Sequence, residues 1–397
     1  MPKIISLRPV LLTAPYGPRE GNAEVLLHLP TGLRTTGLIE LTLDSGIKGL
    51  GEGYLAVFAP EVFVAIANLL APIVVGRDID AIAETMRALE TASGYWSLQG
   101  AARHVLSAIE IALQDARAQT LGLPLWQALG GTENHPLQVY ASGGDAIDPA
   151  HMAEELDAVA ALGIDEFKIR ARAHQAEKAI WCQRGAASRG LHIAIDMAQN
   201  LAVPSQTPDA AAAFVAEVRT AGVADPAFLE EIQGPLNTGE LPSLRRRLGI
   251  PLAGGEIVTT PSELAERIGR GCYDIVQPDA TVIGGVGAVL KVFAAARASD
   301  TAVYVHCWGA GVGMLANYHA ALAGGGDRVE WPMPAYPLRE ALWPTPLAPR
   351  HGRLALPEVP GLGAHLTPAV EAAYPYRSEA AYRCLVDPTA LPEARWA

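Results

Sequence analysis

Residues 191–197 (LHIAIDM), 227–231 (AFLEE) and 251–256 (PLAGGE) share one plan. Each is a short apolar run that ends on a carboxylate: Asp196, Glu230 and Glu256. A helical pattern follows each, so the acids recur about once per βα unit. Two units downstream end on polar residues in the same way, Asp279 in YDIVQPDA and His306 in VYVHCWG. One unit upstream, DEFKIR, carries Lys168 and Arg170. In a barrel of parallel strands the C-terminal ends converge on one mouth. Residues far apart in sequence would then meet there.

The βα alternation runs from residue 136 to about 331. Its strand candidates are QVYAS, DEFKIR, HIAIDM, AFLEEI, PLAGGE, YDIVQPD, AVYVHCW and DRVEW. Ala-rich helical stretches such as HMAEELDAVAALG and AVLKVFAAARASD lie between them. This pattern predicts an α/β fold and fits a closed parallel barrel better than its alternative, an open doubly wound sheet. Residues 1–60 read differently. IISLRPVLLT, EVLLHLPTG, LIELTLDSG and IKGLGEGYL are β-rich runs parted by Pro/Gly turns, which predicts a meander of about three strands. Residues 60–122 are helical in period, and Gly122-Leu123-Pro124 is their stop signal. The expected organisation is an α+β capping domain over residues 1–125 and a barrel over 126–344. The Pro-rich segment 345–397 is expected to pack back on the cap.

Half the residues are hydrophobic, ample for a large core. The net charge of -12 argues against a general nucleic-acid binder, which needs basic surface to neutralise phosphates. It leaves room for an anionic substrate, because local charge can oppose the global sign. Cys182, Cys272, Cys307 and Cys384 form no CxxC pair and no zinc spacing, and read as free thiols. The N-terminal stretch lacks a long apolar h-region, and no apolar run is long enough for a bilayer. A cytoplasmic protein without membrane or nucleic-acid partners is expected.

Asp196, Glu230 and Glu256 offer oxygen ligands only, which suits Mg²⁺. Clustered carboxylates repel each other, and a cation would compensate them. Glu231 rivals Glu230, but neighbours on a strand point to opposite faces, so only one can face the mouth. Lys168 and Arg170 are two apart and share a face. Arg170 is too basic to abstract protons and suits clamping a carboxylate. His306 can act as a general base if a partner fixes its tautomer, and Asp279 is placed to do so. Glu330 in RVEWP ends the last strand and either binds a substrate carboxylate when protonated or caps the barrel. Residues 283–287 (IGGVG) read as a tight βα turn, since neither GxxxxGK[ST] nor a GxGxxG in the first βα turn is present. GxSxG and HExxH are also absent, which leaves serine-hydrolase and zincin chemistry without support.

Together these motifs resemble the enolase superfamily, mandelate racemase subgroup. The likeness spans nearly the whole chain, through SAIEIALQDARAQTLGLPLWQALGG, KIR, IDM, LEE, GGE, QPDATVIGGVG and VHCWGAG. It implies a modified TIM barrel, (β/α)7β, under an α+β capping domain. It implies Mg²⁺ held by Asp196, Glu230 and Glu256, and a dyad in which Asp279 orients the base His306. Glu330 matches the acid that binds the substrate carboxylate, and Lys168 matches the first Lys of the subgroup's KxK. Three positions depart from the pattern: Arg170 replaces the second Lys, Ala198 the usual Asn, and Glu230-Glu231-Ile232 the usual EEP.

The implied chemistry is removal of a proton α to a carboxylate, most simply in dehydration of an acid sugar. Cycloisomerisation of a sugar lactone or anhydro acid is the alternative. Racemisation ranks lower because Arg170 stands where a second base would be, and a non-catalytic binding protein ranks last. The substrate is expected to be a small carboxylate, and a homo-oligomer is usual among such proteins. Specificity is expected in the loop of residues 14–36, with Tyr16, Arg19 and Arg34 as candidate contacts beside Trp308.

Overall fold

The computed structural model describes residues 2–17, 28–202, 204–380 and 382–383. Three antiparallel strands open the chain: β1 (Ile4–Pro15), β2 (Leu33–Leu43) and β3 (Lys48–Gly53). Helices α1 (Pro60–Val74), α2 (Ile82–Ser97) and α3 (Ala101–Leu121) follow. The GLGEG run explains how α3 docks. Gly49, Gly51 and Gly53 share one face of β3, at strand period. A Cβ on Gly51 would stand 1.8 Å from the Ala108 carbonyl oxygen, and one on Gly49 2.1 Å from that of Ala112. Only bare backbone lets the helix lie this close. Gly122, in the left-handed conformation, ends α3 as a C-cap.

Eight parallel strands form the second sheet: β4 (Leu137–Ser142), β5 (Glu166–Arg170), β6 (His192–Asp196), β7 (Leu229–Glu230), β8 (Leu252–Gly254), β9 (Ile275–Val276), β10 (Ala302–Val303) and β11 (Arg328–Pro332). Each of the eight overlaps a run read as a strand from the sequence, β4 and β11 each extending one residue past theirs. β11 pairs with β4, and a parallel bridge between Val305 and Val329 joins the β10 side to β11. The sheet is a nearly closed barrel, so the open doubly wound alternative does not hold. Seven helices of eight residues or more connect the strands: α4 (Pro149–Ala161), α5 (Ala176–Ala187), α6 (Pro208–Thr220), α7 (Leu241–Leu248), α8 (Pro261–Gly269), α9 (Val286–Arg297) and α10 (Gly311–Ala323). Several start on a side-chain cap followed by proline, as at Asp148-Pro149, Thr207-Pro208 and Thr260-Pro261. Residues 283–287 do not lead straight from strand to helix: a short helix, Ala280–Ile283, comes first, and Gly284 and Gly285, both of positive φ, join it to α9.

Cap and barrel are joined by buried carboxylates. Glu52 of β3 accepts hydrogen bonds from the backbone N–H of Ala310 and Gly313, both at 2.7 Å, at the start of α10. Glu110 of α3 accepts from Val286 at 2.8 Å and Gly287 at 3.2 Å, at the start of α9. Helix N-termini favour such anions. Burial nevertheless pushes both carboxyls up, each to about 7. The C-terminal segment meets the cap through the ion pair of Glu371 with Arg8 and the Leu12–Pro375 bridge. It also adds β12 (Arg353–Leu354) antiparallel to β4, a barrel contact not anticipated from its sequence. Among the described residues, no helix is long and apolar enough to cross a membrane.

Candidate active site

The strand ends do converge. Lys168, Arg170, Asp196, Glu230, Glu256 and His306 line one cavity of about 270 Å³ at the barrel mouth. Register accounts for part of this. Arg170 pairs with Asp196, and Asp196 with Glu230, at the last positions of three adjacent strands. Glu256 follows two residues after β8, and His306 three after β10.

Lys168 bridges two buried acids. Its Nζ lies 2.6 Å from Glu230 Oε1 and 2.8 Å from Glu330 Oε1. Burial alone would lower the ammonium's pKa, but these carboxylates hold it well above the ordinary lysine value. The two carboxylates thus favour the charged ammonium. Glu330 also accepts from the Cys307 N–H at 2.7 Å and the Trp308 Nε1–H at 3.0 Å. Burial opposes its ionisation, yet Lys168 and His306 bring it down to about 2. Glu330 stands behind Lys168 and does not line the cavity. This is not the protonated carboxyl that binding a substrate carboxylate would require.

His306 Nδ1 donates to Asp279 Oδ2 at 2.8 Å. Its Nε2 stands 3.4 Å from Glu256 Oε2. Burial would lower the imidazole's pKa, but Glu256, Asp279 and Glu330 raise it to about 10. Arg170 Nη1 donates to Asp145 Oδ1 at 2.6 Å, and its guanidinium lies 4.6 Å from the Trp308 ring centroid. Such stacking suits a clamp. From the cap, Tyr16, Arg34 and Tyr54 line the same cavity. Arg19 lies outside the described residues.

The donor set fits a hard divalent cation. Three carboxylates on successive units surround one cavity, and they are oxygen-only. Glu230 is pushed well up, first by burial and then by Asp196, Glu256 and Glu330, opposed by Lys168. A cation would relieve that repulsion. As the side chains stand, no three His, Cys, Asp or Glu among the described residues form a coordinating group. Glu230 instead faces Lys168 and accepts from Gln277 Nε2. Glu231 has positive φ, accepts from the Gly255 N–H at 2.7 Å and does not line the cavity.

Residues 151–370 match the enolase C-terminal domain-like family, and residues 31–130 the mandelate racemase / muconate lactonizing enzyme N-terminal domain. The chain belongs to the mandelate racemase / muconate lactonizing enzyme family. Among its relatives is a D-galactonate dehydratase of Xanthomonas axonopodis pv. citri, 28% identical over 281 residues, which cover 68% of this chain and 70% of the relative. An arabinonate dehydratase of Saccharolobus solfataricus is 25% identical over 333 residues, covering 82% and 86%. Among solved structures, the 3,6-anhydro-D-galactonate cycloisomerase of Zobellia galactanivorans superposes with a TM-score of 0.81 at 22% identity, covering 94% of this chain and 99% of its own. An L-talarate dehydratase from Polaromonas sp. JS666, solved with Mg and L-glucarate, gives 0.79 at 22% identity, covering 95% and 98%.

This family member carries residues that its sequence did not announce. Asn200 Nδ2 donates to Glu256 Oε1 at 2.6 Å, four positions past Asp196. Ala198 takes the left-handed conformation at φ 49, ψ 37, donates its N–H to Asp196 Oδ1 at 2.7 Å and accepts from the Leu201 N–H at 3.2 Å. Asn200, two positions on, is an amide that lines the cavity. Gln277, two residues before Asp279 in VQPD, was the legible hint for the contact to Glu230.

Proposed function

We propose that this protein abstracts the proton α to a carboxylate and dehydrates an acid sugar to a 2-keto-3-deoxy acid. One observation carries the reading. A histidine fixed through Nδ1 by a buried aspartate stands in the wall of a cavity with a fixed lysine cation and three carboxylates. His306 takes the α-proton, with Asp279 holding its tautomer. Lys168, held protonated by Glu230 and Glu330, faces the enolate oxygens as negative charge develops. Asp196, Glu230 and Glu256 are the residues that would hold Mg²⁺. When bound, Mg²⁺ supplies positive charge against the enolate and offsets the carboxylates that keep His306 protonated. The β-hydroxyl then leaves with a proton from His306 or another acid, and the enol becomes the keto acid.

The curated relatives named as sugar acid dehydratases support this reading. Racemisation is disfavoured, because Arg170 is held by Asp145 where a second base would be needed. The test is a Mg²⁺-dependent screen of mono- and dicarboxylic acid sugars for keto-acid product. A hit lost with EDTA and with His306→Asn supports dehydration. A product of unchanged mass from a lactone or anhydro acid would assign cycloisomerisation instead. Ligand binding without any α-proton exchange would sink both.

A further inference from the structure

Arg34, the second residue of β2, is 3% exposed and faces the same cavity as His306. Its guanidinium meets aromatic rings: Tyr16 at 4.8 Å, Tyr54 at 5.2 Å and Tyr336 at 5.4 Å from the ring centroids. Its Nε has no hydrogen-bond partner, and no ion pair of Arg34 with a carboxylate occurs among the described residues. The Tyr16 hydroxyl, also buried in the cavity wall, is likewise without a partner. Ring faces attract the cation but offer its Nε–H no acceptor. Glu52 bears on Arg34 electrostatically, but its oxygens are taken by the Ala310 and Gly313 N–H groups. By contrast, Lys168 and Arg170 on the barrel floor each have a carboxylate within 2.6 Å. A buried guanidinium with an unmet donor is costly unless a ligand supplies the acceptor.

We propose that Arg34 and the Tyr16 hydroxyl bind a second anionic group, a terminal carboxylate or phosphate, at the end of the substrate remote from the reacting carboxylate. This rests on the acid-sugar reading above and narrows it to acid sugars with two anionic ends. Tyr54 stands beside both groups: its ring neighbours the Arg34 guanidinium and lies 6.2 Å, centroid to centroid, from that of His306.

The test is equilibrium binding, by titration calorimetry on the Mg²⁺-loaded protein, of probes that cannot be dehydrated. Adipate and 6-phosphohexanoate carry the second anion, and hexanoate lacks it. The wild type is expected to bind at least one dianion about tenfold or more tighter than hexanoate. The tighter of the two names the source of the anion. Arg34→Gln is expected to erase the preference and leave hexanoate binding unchanged. Equal binding of all three by the wild type, or equal weakening of all three in Arg34→Gln, would overturn the proposal. Should Arg34→Gln not fold, Tyr16→Phe keeps ring and cation and must still reduce the preference several-fold; an unchanged preference there overturns it too. Exchange of the α-proton of acid sugars with D₂O reads the chemistry separately. Absent exchange with an intact dianion preference defeats the proposed activity and leaves this subsite standing.

Discussion

Asp279 holds the His306 ring by Nδ1 at 2.8 Å and is itself fixed by three other donors. The Thr281 N–H at 2.8 Å, the Thr281 hydroxyl at 2.7 Å and the Asn317 amide at 2.9 Å all reach Asp279 Oδ1. The ring can therefore neither flip nor change tautomer without breaking a buried network. His306→Asn should abolish exchange of the substrate α-proton with D₂O, followed by NMR. Asp279→Asn should leave the ring in place and slow exchange by roughly a hundredfold or more. Exchange at the wild-type rate in His306→Asn would mean the base is wrongly assigned.

Magnesium should stabilise the fold. A ligand that binds only the native state at about a hundred times its Kd adds roughly 2.7 kcal/mol. Thermal melts with and without MgCl₂ are expected to separate, and Asp196→Asn or Glu256→Gln should close the gap. Asn200→Ala, which frees Glu256 Oε1, should weaken Mg²⁺ about tenfold or more. Unchanged affinity in Asn200→Ala would assign that amide a purely local role.

Stability should fall as pH rises through the mildly acidic range. Burial lifts the Glu110 and Glu52 carboxyls from 4.5 to about 7, and Asp115 from 3.8 to about 6. Each folded pKa lies above its unfolded value, so the native state keeps a proton that the unfolded chain has released. The native state is then favoured below about 4.5 and progressively penalised up to about 7. For Glu110 the full span is roughly 3 kcal/mol. Urea melts of wild type and Glu110→Gln at closely spaced pH values should show a shallower slope in the variant. Parallel curves would show that Glu110 does not titrate there.

Ala198→Asn should stabilise the protein. Ala198 is held at φ 49, where alanine's Cβ crowds the backbone, and asparagine tolerates this region better. The gain is about 1 kcal/mol. A lower melting temperature would mean that the cavity rejects the larger side chain.

The barrel was legible because each strand end swaps an apolar run for a polar residue, as in HIAID and EFKIR. Cap and barrel also differ in period, which separates them on sight. The facing of Glu230 over Glu231 was not decidable from adjacency alone. It follows from the end of β7 at Glu230 and the positive φ of Glu231. The setting of Arg34 was hidden because its three tyrosines lie at 16, 54 and 336, brought together only by the fold. The Lys168 bridge to Glu230 and Glu330 was hidden likewise, since its members come from three non-consecutive strands. The Asn200 contact depends on the short turn after β6, whose left-handed residue at Ala198 no propensity rule selects.

Glu52 and Glu110 make the two halves of this molecule poor candidates for exchange. The cap supplies the carboxyl groups that finish two barrel helices, so a barrel given a foreign cap would inherit unfinished helix starts. New specificity is more cheaply reached from within, at positions such as Tyr16 that touch the cavity but hold no helix.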